Sequence, residues 1–368
     1  MSEATTSTLE ACPACGQAIA AGDVFCESCG TELEPTAAVE AAPDDADLDD
    51  TQPVEIAGDE PPPGAIVCLS CGGTQFEDGF CTTCGSKQPS WRDHFTEAPT
   101  DLVAGVCDKG VGRSRNEDAM AMAVVGERTA LVVCDGVTSA PDSDRASLAA
   151  ARTARDVLAA APAAPPGIAA AVGHWTEQLV SACAAANQEA VRVARTLGNP
   201  PEPPSCTFVA AVVEPSLATV AWCGDSRAYW LPDDGEARQL TIDHSLGTEL
   251  IRIGRTRHEA EAEPMSHTIT RWLGADSANA SPETASVELD GAGWMLLCSD
   301  GLWNHLSTAD ELRSFIQASG LSEPLFVADA LVDHANAGGG YDNITAVLAR
   351  IGGPNPSVPD DPVHERTI

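Results

Sequence analysis

Four aspartates, far apart in this sequence, lie beside short apolar runs, and they constrain the fold more than any other feature. Asp135 and Asp300 each end an apolar run and precede a glycine, while Asp118 and Asp342 lie in polar turns beside strand-like segments. An apolar run that stops at Asp-Gly is typical of a buried strand ending in a sharp turn. If several such turns meet at one rim, we expect a Mg²⁺ or Mn²⁺ site, since two carboxylates ~4 Å apart repel by roughly 4 kcal/mol.

The overall charge disfavours two classes of partner. The 368 residues carry 55 acidic and 20 basic side chains, which gives a formal net charge of −35. Such a chain repels phosphate backbones and anionic lipid, so we expect neither a nucleic-acid nor a membrane partner. The sequence contains no apolar stretch of ~20 residues and no signal-peptide pattern, which predicts a cytoplasmic protein.

Cysteine spacing predicts two structural zinc sites in the N-terminal region. Two successive sets of paired CxxCG motifs supply the ligands, which are Cys12, Cys15, Cys26 and Cys29, then Cys68, Cys71, Cys81 and Cys84. Four thiolates close a tetrahedral zinc site with no open position. Metal binding then supplies folding energy on the order of 10–16 kcal/mol for such short segments. Redox or disulfide cysteines are the alternative, but the tandem repeat favours zinc.

Composition divides the chain into five segments. We predict a zinc-ribbon-like module at 1–34, an acidic disordered linker at 35–64, a second zinc-ribbon-like module at 65–90, a large domain at 91–352 and a disordered tail at 353–368. The acidic linker has no lysine or arginine, and self-repulsion keeps such a segment extended. It is either a solvated tether or, less simply, an autoinhibitory anion that reaches a metal site.

The large domain combines strands with alanine-rich helices. The predicted strands are Thr100–Cys107, Ala119–Val125, Thr129–Cys134, Thr207–Glu214, Ala218–Cys223, Arg227–Leu231, Gly293–Cys298 and Asn343–Ile351. The predicted helices are Ser143–Ala160, Ile168–Leu197, Thr308–Ser319 and Pro324–Ala337. Paired strands, then paired helices, then more strands favour an α+β fold of antiparallel sheets flanked by helices.

Further motifs lie between the aspartates in a fixed order. In chain order these segments are Arg113–Asp118, Asp135-Gly136, Ser205-Cys206-Thr207, Gly224-Asp225-Ser226-Arg227, Asp243-His244-Ser245, Thr270–Gly274, Ser299-Asp300-Gly301 and Asp342-Asn343. In order and spacing they resemble the metal-dependent serine/threonine phosphatases of type 2C, in their bacterial form. The resemblance covers most of the large domain. It implies a four-layer α-β-β-α sandwich and a centre of two Mg²⁺ or Mn²⁺ ions.

The resemblance also implies a role for each matching residue. Asp135 matches the carboxylate that bridges both ions, and the Gly136 carbonyl is a further ligand. Asp300 and Asp342 match two more ligands, and Asp118 matches the carboxylate that holds metal-bound water. Arg113 matches the guanidinium that binds the substrate phosphate, which its planar fork suits.

Some positions depart from the family pattern. Asp135-Gly136 is followed by Val137-Thr138-Ser139 where the family has glycines, and Val137 cannot donate a proton to a leaving group. Glu202 is the best candidate ligand for a third ion, and its proline-rich surroundings argue against that site. For Asp225 we favour a turn role over metal ligation. For His244 we favour a structural role over that of an acid.

Three functions follow from these features. The first is a phosphatase that acts on phosphoserine and phosphothreonine in proteins and opposes a serine/threonine kinase. The second is a catalytically weak interaction protein that recruits partners through its zinc modules, which the altered turn after Gly136 motivates. The third, nucleic-acid binding through the ribbons, is disfavoured because residues 11–34 contain no lysine or arginine.

Overall fold

The computed structural model describes residues 10–11, 18–19, 67–68, 71–138, 140–263 and 265–352. The chain divides into two compact units, residues 1–54 and 55–368. In the first unit, strands β1 (Glu10–Ala11) and β2 (Ala18–Ile19) pair antiparallel. The second unit contains every other element.

A small hairpin opens the described part of the second unit. Strands β3 (Phe76–Glu77) and β4 (Phe80–Cys81) pair antiparallel, and the left-handed backbone of Asp78 and Gly79 closes the turn between them. A 3-10 helix at Trp91–Asp93 follows, where Ser90 and Asp93 form a capping box.

Thirteen further strands are described. They are β5 (His94–Thr100), β6 (Val103–Asp108), β7 (Ala119–Val125), β8 (Arg128–Cys134), β9 (Ser205–Cys206), β10 (Phe208–Glu214), β11 (Leu217–Cys223), β12 (Arg227–Pro232), β13 (Arg238–Gln239), β14 (Leu273–Gly274), β15 (Glu283–Glu288), β16 (Gly293–Cys298) and β17 (Ile344–Ile351). One antiparallel sheet has the order β15-β11-β10-β8-β7, and the other has the order β13-β12-β16-β17-β6-β5. Strands β9 and β14 form a separate pair.

Seven α-helices are described. They are α1 (Ser143–Ala160), α2 (Ile168–Thr196), α3 (Leu246–Arg252), α4 (Arg257–Glu261), α5 (Asp300–Trp303), α6 (Ala309–Ser319) and α7 (Pro324–Ala337). No helix within the described ranges combines the length and the apolar character that crossing a lipid bilayer requires.

The layers stack as helices, sheet, sheet, helices, which confirms the predicted four-layer sandwich. Helices α1 and α2 pack against the five-stranded sheet, and α5, α6 and α7 pack against the six-stranded sheet. Three apolar clusters fill the three interfaces between these layers. The cluster between α1–α2 and the five-stranded sheet contains Trp175, the cluster between the two sheets contains Trp230 and Met295, and the cluster between the six-stranded sheet and its helices contains Leu331. Burying each such side chain stabilises the fold by about 1.5–3 kcal/mol.

The four predicted helices match α1, α2, α6 and α7 closely, whereas the short helices α3, α4 and α5 were not predicted. The strands match less well. The predicted strand Thr100–Cys107 begins too early, because residues 101–102 form the turn between β5 and β6. Strands β5 and β15 were not predicted, since both are sheet edges with alternating exposed polar residues. The six cysteines outside the CxxC motifs are buried: Cys107, Cys134, Cys183, Cys206, Cys223 and Cys298.

Candidate active site

The two sheets bring the four predicted aspartates to one end of the sandwich. Asp118 precedes β7 and Asp135 follows β8, and these strands pair so that Ala119 lies opposite Cys134. In the other sheet, Asp300 follows β16 and Asp342 precedes β17, which pairs with β16. We call Asp118, Asp135, Asp300 and Asp342 the aspartate cluster.

Asp118 joins the two sheets directly. Its Oδ2 atom accepts hydrogen bonds from Ser299 Oγ and Thr345 Oγ1, each at 2.7 Å. The Ser299 hydroxyl in turn accepts a bond from the Thr345 backbone N–H at 3.0 Å. Asp118 is 0% exposed, so its carboxylate is fixed in one orientation between the sheets.

The aspartate cluster is strongly coupled electrostatically. Burial raises the pKa of Asp118 to about 6 and that of Asp300 to about 7. The pKa of Asp135 is raised well above its usual range, first by burial and then by the neighbouring charges of Asp118 and Asp300. Because buried like charges favour protonation or a counter-ion, this site is suited to cations.

The backbone next to Asp135 requires glycine at position 136. Gly136 N–H donates to the carbonyl oxygen of Glu117 at 3.1 Å. A Cβ atom on Gly136 would lie 2.6 Å from that same oxygen, so no other residue fits without movement. The Asp135 N–H donates to Thr207 Oγ1 at 3.0 Å, and the Thr207 N–H donates to the Asp135 carbonyl at 2.8 Å.

Hydrogen bonds hold the turn that lacks the family glycines. Val137 N–H donates to the Ser205 carbonyl at 2.9 Å. Ser143 Oγ donates to the carbonyls of Val137 and Ala140 at 2.9 and 3.0 Å. The left-handed conformation of Asp142, with φ 59°, then leads into α1. The non-glycine turn is therefore supported by the start of α1.

Arg113 lies at the aspartate cluster. Its Nη2 atom donates to Asp342 Oδ2 at 2.5 Å, and the two side chains remain 29% and 30% exposed. The guanidinium is thus anchored on one side and accessible to an incoming anion on the other. Bidentate recognition of phosphate oxygens is a typical use of this geometry.

Asn343 clamps the segment that carries Arg113, which we call the Arg113 loop (residues 109–117). Its Nδ2 atom donates to the carbonyls of Lys109 and Arg115 at 2.7 and 2.9 Å. Its Oδ1 atom accepts from Glu117 N–H at 2.7 Å. Asn343 belongs to the Asp342-Asn343 motif, but its position in the sequence did not indicate this role.

Asp225 is buried near Asp300 and does not lie in an exposed surface turn. Its side chain is 6% exposed, and burial followed by the charge of Asp300 raises its pKa well above the usual range. It follows β11 in the Gly224–Arg227 turn, as predicted. The structure therefore places a fifth carboxylate beside the aspartate cluster.

His244 has the contacts of a structural residue. Its ring is fully buried, and Nδ1 accepts a bond from Gly224 N–H at 3.1 Å. Nε2 lies 3.2 Å from Glu283 Oε1. Burial lowers the pKa of His244, so the neutral ring is favoured, as the predicted structural role requires.

The segment after the β3–β4 hairpin contacts the Arg113 loop. Arg92 Nη2 donates to the Asp118 carbonyl at 2.5 Å, and Asn116 Nδ2 donates to the Arg92 carbonyl at 2.8 Å. Lys87 Nζ also reaches the Ser114 carbonyl at 3.4 Å. These bonds connect the hairpin region with the loop that carries Arg113.

Four cysteines around the β3–β4 hairpin converge as a metal site. The Sγ atoms of Cys68 and Cys84 are 3.5 Å apart, and those of Cys71 and Cys81 are 3.6 Å apart. In the described part of the chain, this is the only group of three or more His, Cys, Asp or Glu residues with all ligand atoms within 4.8 Å of one another. The other predicted tetrad, Cys12, Cys15, Cys26 and Cys29, lies outside the described residues.

A cavity of about 330 Å³ lies between α3–α4 and β12, and no member of the aspartate cluster lines it. Trp303 forms part of its wall and donates from Nε1 to the Asp225 carbonyl at 3.0 Å. The Arg227 guanidinium lies 3.7 Å from the centre of the Trp303 ring and pairs with Asp243 at 2.6 Å. These contacts hold Trp303 and Arg227 in place on the cavity wall.

Family models match two regions of the chain. Residues 111–325 match the model described as Protein phosphatase 2C, and residues 12–85 match the model described as Double zinc ribbon. The first match contains Arg113, Asp118, Asp135 and Asp300. The second contains both cysteine tetrads.

Two curated relatives are bacterial phosphatases. Serine/threonine phosphatase stp of Listeria innocua is 38% identical over 143 residues, which are 39% of this chain and 55% of the relative. Protein phosphatase PhpP of Streptococcus pneumoniae is 38% identical over 142 residues, which are 38% of this chain and 55% of the relative. The chain thus spans about half the length of the curated relatives it matches.

Solved structures of similar proteins share the fold. Serine/threonine phosphatase Stp1 from Staphylococcus aureus has a TM-score of 0.59 and 26% identity, with coverage of 70% of this chain and 98% of that chain. The catalytic domain of the serine/threonine protein phosphatase PstP, solved with two manganese ions, has a TM-score of 0.52 and 27% identity. Its alignment covers 68% of this chain and 97% of that chain.

Proposed function

Because this chain belongs to the protein phosphatase 2C family, we propose that it hydrolyses phosphoserine and phosphothreonine in proteins with two Mn²⁺ or Mg²⁺ ions. The observation that carries this proposal is the aspartate cluster. Burial and mutual repulsion raise the pKa values of Asp118, Asp135 and Asp300. Carboxylate oxygens are the ligands that these ions prefer.

The residues that we propose for the metal centre are Asp118, Asp135, the Gly136 carbonyl, Asp300 and Asp342. The chemistry of this donor set fits, since all donors are oxygens. Asp118 adds a specific argument, because its buried Oδ1 accepts no hydrogen bond from any described residue. The two ions would supply Lewis-acid stabilisation and lower the pKa of the attacking water.

The chain's own residues would bind and orient the phosphate. Arg113 is anchored by Asp342 and presents its exposed edge to the phosphate oxygens. Asp118, held by Ser299 and Thr345, would orient the attacking water. Attack of this water on phosphorus would break the bond to the serine or threonine oxygen without a covalent enzyme intermediate, and a proton from water would convert the released alkoxide to the alcohol. Since Val137 cannot protonate the leaving group, we expect modest turnover.

The N-terminal region is proposed to hold two structural zinc ions, one in each cysteine tetrad. The match to a double zinc ribbon and the convergence of the second tetrad support this assignment. We further propose the segments 1–34, 35–64, 65–90, 91–352 and 353–368 as the functional divisions of the chain.

The partners follow from the proposed reaction. We propose that the substrates are phosphoproteins and that a serine/threonine kinase opposes the enzyme in the cytoplasm, where zinc-binding thiols stay reduced. The alternative, an interaction protein with little activity, is less well supported. A protein that only recruits partners would not need Arg113 paired with Asp342 beside buried carboxylates.

Hydrolysis of a phosphothreonine peptide tests the proposal. We expect activity that requires added Mn²⁺, disappears with a chelator, and falls at least 100-fold in Asp300→Asn. The exposed Asp310→Asn is the matched control, and it should retain wild-type activity. Activity that survives chelation, or that is retained in Asp300→Asn, would refute the proposal.

A further inference from the structure

Two exposed apolar side chains lie beside the Arg113–Asp342 pair. Among the described residues, the three most exposed large apolar side chains are Val111 (74%), Ile253 (77%) and Tyr341 (75%). Val111 comes two residues before Arg113, and Tyr341 comes immediately before Asp342. Single exposed apolar residues are common on protein surfaces. Two such residues beside one ion pair indicate a contact surface.

The backbone brings together the two segments that carry these side chains. Gly112 N–H donates to the Gly340 carbonyl at 2.7 Å, which joins the Arg113 loop to the turn before β17. A Cβ atom on Gly112 would lie 3.2 Å from the Tyr341 Cα, and one on Gly340 would lie 2.8 Å from the Val111 nitrogen. The glycines are thus required for this close approach.

The Tyr341 ring is also held in place. A Cβ atom on Gly339 would lie 2.3 Å from the ring, so the ring packs directly against the Gly339 backbone. Gly339 has a φ of 129° and Gly340 a φ of 51°, and both values favour glycine. An aromatic ring that packs against backbone on one side, yet is 75% exposed, loses less conformational entropy on binding than a ring with no contact.

We propose that Val111 and Tyr341, which we call the apolar rim, bind an apolar side chain of the substrate polypeptide next to the phosphorylated residue. The inference rests on the proposed phosphatase function, because the occupant is defined by its distance from a phosphate bound at Arg113. Val111 and Tyr341 lie within two residues of Arg113 and Asp342 on two segments that the Gly112–Gly340 hydrogen bond joins, so residues next to a phosphate bound at Arg113 would come within reach of the rim. The substrates are thus phosphoproteins with an aliphatic or aromatic residue within about two positions of the phosphoserine or phosphothreonine, since an extended chain advances ~3.3 Å per residue.

Matched substrates test this specificity. We would measure kcat/KM for p-nitrophenyl phosphate, which has no flanking chain, and for phosphothreonine peptides that carry either leucine or serine at each of the two positions on either side. We expect the wild type to prefer leucine over serine at one position by about tenfold. In Val111→Ser and Tyr341→Ser, this leucine preference and the ratio of peptide to p-nitrophenyl phosphate activity should both fall severalfold.

Phe326→Ser is the matched control. Phe326 is 51% exposed and lies in the first turn of α7, roughly 18 Å along the helix from the turn at Gly338. This variant should keep the wild-type leucine preference and the wild-type activity ratio.

The outcomes separate the rim from the phosphatase function. An active wild type with no preference for an apolar neighbour, or variants that retain the preference, would overturn the apolar rim alone. An equal loss on both classes of substrate would also overturn it, because the residues would then only support Arg113. A wild type inactive on every substrate with Mn²⁺ would refute the phosphatase function, and the rim with it.

Discussion

Asn343 donates a hydrogen bond from its side-chain amide to the carbonyl oxygen of Arg115 at 2.9 Å. Together with the bonds to Lys109 and Glu117, this contact fixes the Arg113 loop relative to Asp342. The position of the phosphate-binding guanidinium therefore depends on a neutral amide that would not itself touch the substrate.

Asn343→Ala tests this positioning role. A misplacement of about 1 Å at a reacting group can cost 100-fold in rate, so we expect kcat/KM to fall by up to about 100-fold. KM should rise more than kcat falls, because Arg113 would bind the phosphate already in the ground state. Asn279→Ala, which removes a bond from the Ser281 N–H at 3.0 Å outside the loop, should leave KM unchanged. An Asn343→Ala enzyme with wild-type KM would contradict the role.

The raised pKa values predict an unusual dependence of stability on pH. An acid with a raised pKa in the folded state holds its proton more tightly there, so its contribution to stability is lost as the pH rises. The ordinary pKa of an aspartate is 3.8, and the folded-state pKa is about 6 for Asp118 and about 7 for Asp300. Their contribution to stability is therefore lost as the pH rises between the ordinary and the folded-state pKa of each residue. Protein freed of Mn²⁺ and Mg²⁺ should therefore unfold at a lower temperature at pH 8 than at pH 5.

Two comparisons make this pH prediction specific. Asp300→Asn should reduce the difference in melting temperature between pH 5 and pH 8, whereas the exposed Asp310→Asn should not. Added Mn²⁺ should raise the melting temperature more at pH 8, where the carboxylates are ionised. A metal-free protein that is more stable at pH 8 than at pH 5 would contradict the raised pKa values of Asp118 and Asp300.

Arg92 is expected to couple the hairpin region to the aspartate cluster, because its side chain binds the backbone carbonyl of Asp118. Arg92→Lys keeps the charge but cannot reach both carbonyls that the guanidinium binds, those of Asp118 and Asp144. We expect kcat/KM for p-nitrophenyl phosphate to fall about tenfold, since charge-assisted bonds of this kind contribute about 1.5–3 kcal/mol. Arg313→Lys, at an exposed pair with Asp310, serves as the control. Equal activity of the two variants would argue against the coupling.

Zinc content tests the cysteine tetrad. Cys81→Ala should lower the bound zinc from about two ions per chain to about one, because three thiolates leave the tetrahedral site incomplete. Cys183→Ala removes a buried core cysteine and should leave the zinc content unchanged. Elemental analysis after dialysis measures both. Two zinc ions retained by Cys81→Ala would exclude the second tetrad as a site.

The sequence predicted the elements whose burial pattern is strong. The alanine-rich helices α1 and α2 were located almost to the residue, and so were β10 and β11. The edge strands β5 and β15 were missed because alternating polar residues resemble a loop. The role of Asn343 was also missed, since its partners are backbone carbonyls that approach it only in the folded chain, 228 and 234 residues away.

Proximity in space was the hardest property to predict. The resemblance to a family predicted that the four aspartates lie close together, but it did not indicate that Ser299 and Thr345 donate hydrogen bonds to Asp118. Nor did the triple glycine at residues 338–340 indicate how closely two loops approach. Those features depend on register between strands and on contacts absent from any local pattern.

Anomalous diffraction from crystals grown with Mn²⁺ would test the central claim most directly. We expect two manganese peaks about 3.5–4 Å apart, both within coordinating distance of Asp135 and bounded by Asp300 and Asp342. Manganese that binds elsewhere, or no manganese at millimolar concentration, would contradict the proposed hydrolytic centre.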